Sequence, residues 1–303
     1  MLARTAANLY WMSRYLERAE NLARVLEVNQ GLAWLKAARP GEDMAAPLRL
    51  TDSEAAFAAQ HGAELTPAAL WAFLGFSAHP ASIRSCLARA RDNADAARDA
   101  LTGEMWQAIH ATWLGMQAAI DAPPADPANF ADWVKERSQL FRGITYGAIH
   151  RNDAYRFIRL GTFIERADNT ARLLKLRYRG HRAGMADHYG LMALLESVSA
   201  QDAYLAVYHD TVSAPKVAEL LLLNPDAPRS LAACFAEIRQ ILPQIGGPRG
   251  RAAKKRATEL AAALEYGELQ DILAHGLQNY LGEFLDQLTQ LNDELHAAYM
   301  EAA

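Results

Sequence analysis

One ten-residue stretch of charged and amide side chains occurs twice in this chain. Residues 15–24 read Y-L-E-R-A-E-N-L-A-R and residues 163–172 read F-I-E-R-A-D-N-T-A-R. Glu17, Arg18, Ala19, Asn21, Ala23 and Arg24 thus reappear 148 residues later as Glu165, Arg166, Ala167, Asn169, Ala171 and Arg172, and Glu20 is exchanged for Asp168. On a helix, Glu17, Glu20, Asn21 and Arg24 stand at i, i+3, i+4 and i+7 and share one face, which Arg14 extends by a turn. Glu165, Asp168, Asn169 and Arg172 repeat that geometry. Arg18 is rotated from Glu17 by about 100°, so the expectation is that the two serve different neighbours.

Three chemistries fit such a face. On a solvated helix, Glu20–Arg24 and Asp168–Arg172 are i,i+4 ion pairs contributing about 0.2–0.5 kcal/mol each. Sealed between two halves of the protein, the faces form a network in which every carboxylate is matched by an arginine, because an unpaired buried charge costs several kcal/mol. Open to a cleft, Arg18, Arg24, Arg166 and Arg172 grip carboxylate or phosphate groups bidentately, or Glu17 and Glu165 hold a hard cation. A helical di-metal centre needs Glu-x-x-His pairs. Neither stretch has a histidine at that spacing, and His79, His110, His150, His181, His188 and His209 are scattered. No metal and no cofactor is assigned.

A weaker match supports an internal repeat. His79-Pro80 followed by Arg84-Ser85 is similar to Asn224-Pro225 followed by Arg229-Ser230, at an offset of 145. Two matches in the same order predict duplication of a half-chain unit, about 1–150 and 151–303. Opposed polar faces then make one pseudo-symmetric domain of the pair. Arg84, Ser85, Arg229 and Ser230 become secondary candidates beside Arg14.

The elements that carry these residues read as helices throughout. Leu9, Met12, Leu16, Ala19, Ala23 and Leu26 recur at spacings of three and four, the mark of one buried stripe. The pattern predicts a helix over Thr5–Ala38, capped by Thr5 and stopped at Pro40-Gly41. Residues 41–65 read as a loop or weak helix. Further helices are expected over Pro67–Phe76, from Pro80 to near Leu101 with the proline in the first turn, and over Glu104–Ile120. Residues 122–127, with three prolines, form the clearest linker. Helical patterns follow at Asn129–Ile149, Asp153–Tyr178, His188–Tyr208, Pro215–Leu223, Arg229–Ile241 and Lys254–Ala302, the last broken near Gly267 or Gly276. The fold class is all-α, a pseudo-symmetric bundle of long antiparallel helices.

Composition narrows the function classes. The 303 residues are 51% hydrophobic and 22% charged, with a net charge of −4. That apolar content excludes a disordered chain. The small negative charge argues against nucleic-acid binding, which needs clustered Lys and Arg. Two cysteines, Cys86 and Cys234, cannot build a disulfide framework or a zinc site, and each sits at an apolar helical position as a buried small hydrophobe. The N-terminus lacks a signal-peptide pattern and no run of about 20 apolar residues occurs, so the expected location is the cytoplasm, away from the membrane. No P-loop, dinucleotide fingerprint, HExxH or G-x-S-x-G is present. Residues 249–256, Arg-Gly-Arg-Ala-Ala-Lys-Lys-Arg, are the one concentrated basic run, a solvated helix start or a site for phosphate or an acidic partner.

The duplicated Glu-Arg motif, with Tyr10-Trp11-Met12-Ser13-Arg14-Tyr15 leading into the first copy and Arg159-Leu160-Gly161 into the second, resembles the alpha-E family of bacterial all-helical domains. The likeness extends over nearly the whole chain through residues 79–85, Arg91-Asp92-Asn93-Ala94, Glu104-Met105-Trp106, Arg151-Asn152-Asp153 and Asp226-Ala227-Pro228-Arg229-Ser230. It adds Arg151 and Asp153 to the secondary candidates. The family more usually carries Asn where His79 stands. The resemblance implies a setting beside circularly permuted ATP-grasp amidoligases, with transglutaminase-like peptidases and a proteasome-like hydrolase nearby, and so a part in making or processing an amide-linked peptide. Two functions follow. One is a non-catalytic helical partner that presents the substrate of the ligase. The other is an enzyme acting on peptide or amide bonds, with Glu17 and Glu165 as acid/base groups in a cleft between the repeats.

Overall fold

The computed structural model describes residues 1–33, 44–62, 64–179, 185–246 and 249–301, and among them no strand occurs. The architecture is built around two long helices, α1 (Ala3–Ala33) and α8 (Asp153–Tyr178), which pack against each other more extensively than any other pair. Between them in the chain come α2 (Ala46–Leu50), α3 (Glu54–His61), α4 (Pro67–Leu70) with a π-turn over Trp71–Phe76, α5 (Ile83–Ala96), α6 (Gly103–Asp121) and α7 (Pro127–Ala148). After α8 follow α9 (Met185–Ser197), α10 (Gln201–Tyr208), α11 (Ala214–Leu223), α12 (Leu231–Ile241), α13 (Arg251–Glu265), α14 (Leu269–His275) and α15 (Leu277–Tyr299). Helix α1 also leans on α5 and α7, and α8 on α12 and α15.

The predicted stripe of α1 is buried from Leu9 to Leu26, but so is most of the rest of that helix, polar face included. A helix enclosed on nearly every side must satisfy its polar groups internally. Close approach of α1 and α8 depends on Gly161: a Cβ there would collide with the Ser13 hydroxyl and the Tyr10 carbonyl.

Several boundaries differ from the sequence reading for identifiable reasons. Thr5 lies inside α1, which starts at Ala3, and the Pro40-Gly41 stop lies outside the described residues. Of the loop or weak helix expected over residues 41–65, residues 44–62 take the helical alternative as two short helices. Pro80 precedes α5 instead of opening it, because Ser82 is the cap: its hydroxyl accepts from the Ser85 N–H at 3.1 Å and donates to the Ser77 carbonyl at 2.7 Å. The proline-rich linker is shorter than expected, since Pro127 is the first residue of α7 behind the Asp126 cap. The stretch 188–208 is two helices broken at Ser199, whose φ of 51° ends the helical path. Beyond residue 250 the chain breaks at both glycine positions, and Gly276 takes a φ of 94° that favours glycine. No helix among the described residues is long and apolar enough to cross a membrane.

Candidate functional site

The two Glu-Arg pairs meet at the α1–α8 contact and exchange partners. Arg166 donates from Nε and Nη2 to the two oxygens of Glu17, at 2.9 and 3.2 Å. Arg18 donates from Nε and Nη2 to the two oxygens of Glu165, at 2.5 and 2.9 Å. Each glutamate is therefore clasped bidentately by the arginine of the other copy. This corrects the expectation that Glu17 and Arg18 serve different neighbours. An angle of about 100° places them on either side of the line of closest approach, and both side chains are long enough to reach α8.

Further arginines complete each carboxylate. Arg229, just before α12, donates to Glu17 at 3.0 Å, to Glu20 at 2.7 Å and to the Asn21 side-chain carbonyl at 2.7 Å. Its own backbone carbonyl receives the Thr170 hydroxyl at 2.9 Å, and Arg166 reaches the neighbouring Pro228 carbonyl at 3.3 Å. Arg142 on α7 pairs with Glu17 at 3.0 Å and also with Glu20, with Ser138 steadying it at 3.0 Å. On the other side, Arg14 donates to Glu165 at 2.7 Å and to the Asn292 side-chain carbonyl of α15 at 2.8 Å, which also accepts from the Tyr10 hydroxyl at 2.7 Å. The i,i+4 pairs form as well, Glu20–Arg24 at 3.0 Å and Asp168–Arg172 at 2.7 Å.

Glu17, Glu20 and Glu165 are 2%, 0% and 4% exposed. Burial pushes against their charge, and the arginines outweigh it. Arg166, Arg229 and Arg142 hold Glu17 below the usual carboxylate range, and Arg229, Arg142 and Arg24 do the same for Glu20. Glu165 is brought down to about 2 by Arg18 and Arg14 against the opposing effect of burial. All three are anions at neutral pH with their oxygens occupied. Cys86 and Cys234, both wholly buried, are pushed up to about 12 by burial, only partly offset by Arg18 and Arg166 respectively. Thiols in that state are not nucleophiles.

Of the primary candidates, Glu17, Arg18, Glu20, Asn21, Arg24, Glu165 and Arg166 join this network directly. Asp168 and Arg172 form a more exposed pair at its edge. Asn169 is 8% exposed and its amide nitrogen, like that of Asn21, has no hydrogen-bond partner among the described residues. Among the secondary candidates, Arg14 and Arg229 belong to it, and Ser230 caps α12 by accepting from the Ala233 N–H at 2.9 Å. The others lie elsewhere. Arg84 bonds the Phe76 carbonyl, and Ser85 engages the Ser82 cap. Arg151 stacks over Tyr155 with its guanidinium carbon 4.0 Å from the ring centroid, and Asp153 pairs with Arg156 in the first turn of α8. Arg142 and Asn292 were not singled out from sequence, and Tyr10 entered only in the stretch leading into the first copy. They lie outside the repeated stretch, and no local pattern marks them.

Clefts flank the network on both sides, one of about 330 Å³ beside the first copy, walled by Glu20, Arg24, Arg142, Arg166 and Arg229 among others. Arg229 covers Glu17, Glu20 and Asn21. Beside the second copy lies a cleft of about 320 Å³, walled by Arg18, Asn21, Ala81, Glu165, Asp168, Asn169 and Arg172 among others. Further positions share the 148-residue spacing. Ser82 and Ser230 are both helix caps, and at their spacing of 148, the same as that of the Glu-Arg pairs, Pro80 aligns with Pro228, Ile83 with Leu231 and Cys86 with Cys234. The 145-residue pairing of Arg84-Ser85 with Arg229-Ser230 differs from that spacing by three.

These features define a class: an all-helical protein whose two central helices are joined by reciprocal Glu–Arg pairs inside a buried arginine–carboxylate network. Residues 1–300 match Alpha-E, described as a predicted alpha-helical domain with a conserved ER motif. The chain belongs to that family. In a third Glu-Arg dipeptide, Glu136-Arg137 on α7, Glu136 is exposed and the Arg137 Nε has no hydrogen-bond partner among the described residues. Uncharacterized proteins of Mycobacterium tuberculosis and Mycobacterium bovis are each 25% identical over 308 residues, a match covering 93% of this chain and 35% of the relative. The chain thus spans about a third of the length of the curated relatives it matches. No solved structure matches it significantly.

Proposed function

We propose that the protein is a non-catalytic helical partner that holds or presents the substrate of an ATP-grasp-type amidoligase during synthesis or processing of an amide-linked peptide, and that its two halves descend from one duplicated unit. The observation that carries this reading is the saturation of the motif carboxylates. A general acid must hold a proton near working pH and a general base must have a free oxygen facing its substrate. Glu17 and Glu165 have neither, being ionised and clasped by arginines. That weighs against an enzyme using them as acid/base groups and favours a clamp that fixes α1 on α8.

Two further observations support the partnership and the duplication. In the curated relatives the matched stretch is about a third of a longer chain, so the unit there is joined to additional polypeptide. The 148-residue register unites the Glu-Arg pairs, the two serine caps and the two buried cysteines. A cytoplasmic location suits two wholly buried cysteines kept as free thiols.

The test is reconstitution with the ATP-grasp-type ligase encoded nearest to this gene. Co-purification, and amide formation that rises when this protein is added, is the expected result. No complex at micromolar concentration, together with ligase turnover indifferent to this protein, overturns the reading.

A further inference from the structure

The 148-residue register turns one half of the network into a template for the other. In the second half, Arg229 stands two residues before Leu231; in the first half, Ala81 stands two residues before Ile83, the counterpart of Leu231. Ala81 is therefore the counterpart of Arg229. Arg229 donates to Glu17, Glu20 and Asn21 and itself borders the cleft of about 330 Å³ outside them, whereas Ala81 brings no donor to Glu165, Asp168 and Asn169, which line the cleft of about 320 Å³. We propose that this cleft binds a guanidinium group carried by a ligand, held where Arg229 is held on the other face.

The side chains there are prepared for it. The amide nitrogens of Asn21 and Asn169 both lack partners among the described residues, but the Asn21 carbonyl oxygen accepts from Arg229, while that of Asn169, a residue more than nine-tenths buried, receives no hydrogen bond from them and is the atom a guanidinium would reach. Asp168 uses Oδ2 on Arg172, which leaves its Oδ1 without a protein donor among the described residues. A planar guanidinium reaching Asn169 and Asp168 together reproduces the fork that Arg229 presents to Asn21 and Glu20. The charge balance also admits a cation. Around the first face, Arg24, Arg142, Arg166 and Arg229 face Glu17 and Glu20. The cleft has Arg14, Arg18 and Arg172 against Asp52, Glu165 and Asp168. Adding one guanidinium gives four cations to three anions, a less positive set than the first face already sustains. A volume of about 320 Å³ is at the small end for ligand sites and holds an arginine side chain with a short flanking segment.

A small guanidino compound and an arginine within a peptide offer the same group, so two probes separate them: agmatine and the tripeptide Gly-Arg-Gly amide, titrated into the 303-residue protein by calorimetry at fixed ionic strength. Saturable binding of either is expected, the tighter one naming the source. Ala81→Arg supplies the missing side chain from within and should weaken binding at least about tenfold while leaving the melting temperature equal or higher. Asp168→Asn, at a partly exposed residue, should weaken it similarly and keeps the test valid should the arginine variant misfold. The proposal is overturned by absence of saturable binding up to about millimolar probe, by unchanged affinity in both variants, or by N-acetylglutamate binding more tightly than either cation. It rests on the 148-residue register and uses no ligase, so it stands or falls separately from the partnership proposed above.

Discussion

Replacing Glu165 with glutamine keeps the shape of the side chain and removes the charge that Arg14 and Arg18 share. Its magnitude can be worked out in two ways. Holding this carboxyl ionised down to about 2 rather than its ordinary 4.5 corresponds to about 3 kcal/mol at neutral pH, at about 1.4 kcal/mol per factor of ten. Breaking a buried ion pair by removing one partner costs about 3–5 kcal/mol. The two agree, and for a chain of this size the loss lowers the melting temperature by about 6 °C. The pH dependence has a definite sign. Because the folded-state value is depressed, the stabilisation is complete above about 4.5 and disappears as the pH falls towards 2. The gap between wild type and Glu165→Gln should therefore be widest at neutral pH and shrink steadily below pH 4.5. Calorimetry or urea denaturation at several pH values measures it. A variant that melts within about 2 °C of wild type at pH 7, with a gap that does not change on acidification, would refute the clamp.

Two other outcomes follow from the packing. Gly161→Ala drives a methyl group into the Ser13 hydroxyl and the Tyr10 carbonyl, so urea denaturation should show a loss of about 1–3 kcal/mol or more as α1 and α8 are forced apart. Cys86 and Cys234 should resist a thiol reagent in the native protein and react together on denaturation, because both are wholly buried with thiols held near 12.

Much of this structure was legible in the order of residues, and the parts that were not share a cause. The apolar spacing of α1 and the repeated Glu-Arg stretch both report local geometry, and both led to helices at the centre of the fold. Their polar face was readable as a set of residues needing partners. Which partners they find was not. Arg142 comes from α7 and Asn292 from α15, positions set by packing and unrelated to any nearby pattern. The rotation between Glu17 and Arg18 misled for a related reason: an angle about one helix axis says nothing about how far a long side chain reaches across to the next. The cap at Ser82 was missed because Pro80 offered a plausible first turn, and a hydroxyl two residues on satisfied the backbone donors better.

The network also bears on how the chain comes off the ribosome. Glu17 emerges early, but its arginines stand 125, 149 and 212 residues downstream. A nascent chain that has reached the end of α7 can offer it Arg142 alone. Enclosing α1 at that stage would strand a charge in a dry interior, so burial must wait for α8 and for the segment before α12. Contacts this distant in sequence slow folding, and until they close, the apolar stripe of α1 remains without its cover, a hazard that a cell meets with chaperones or with a partner already in place.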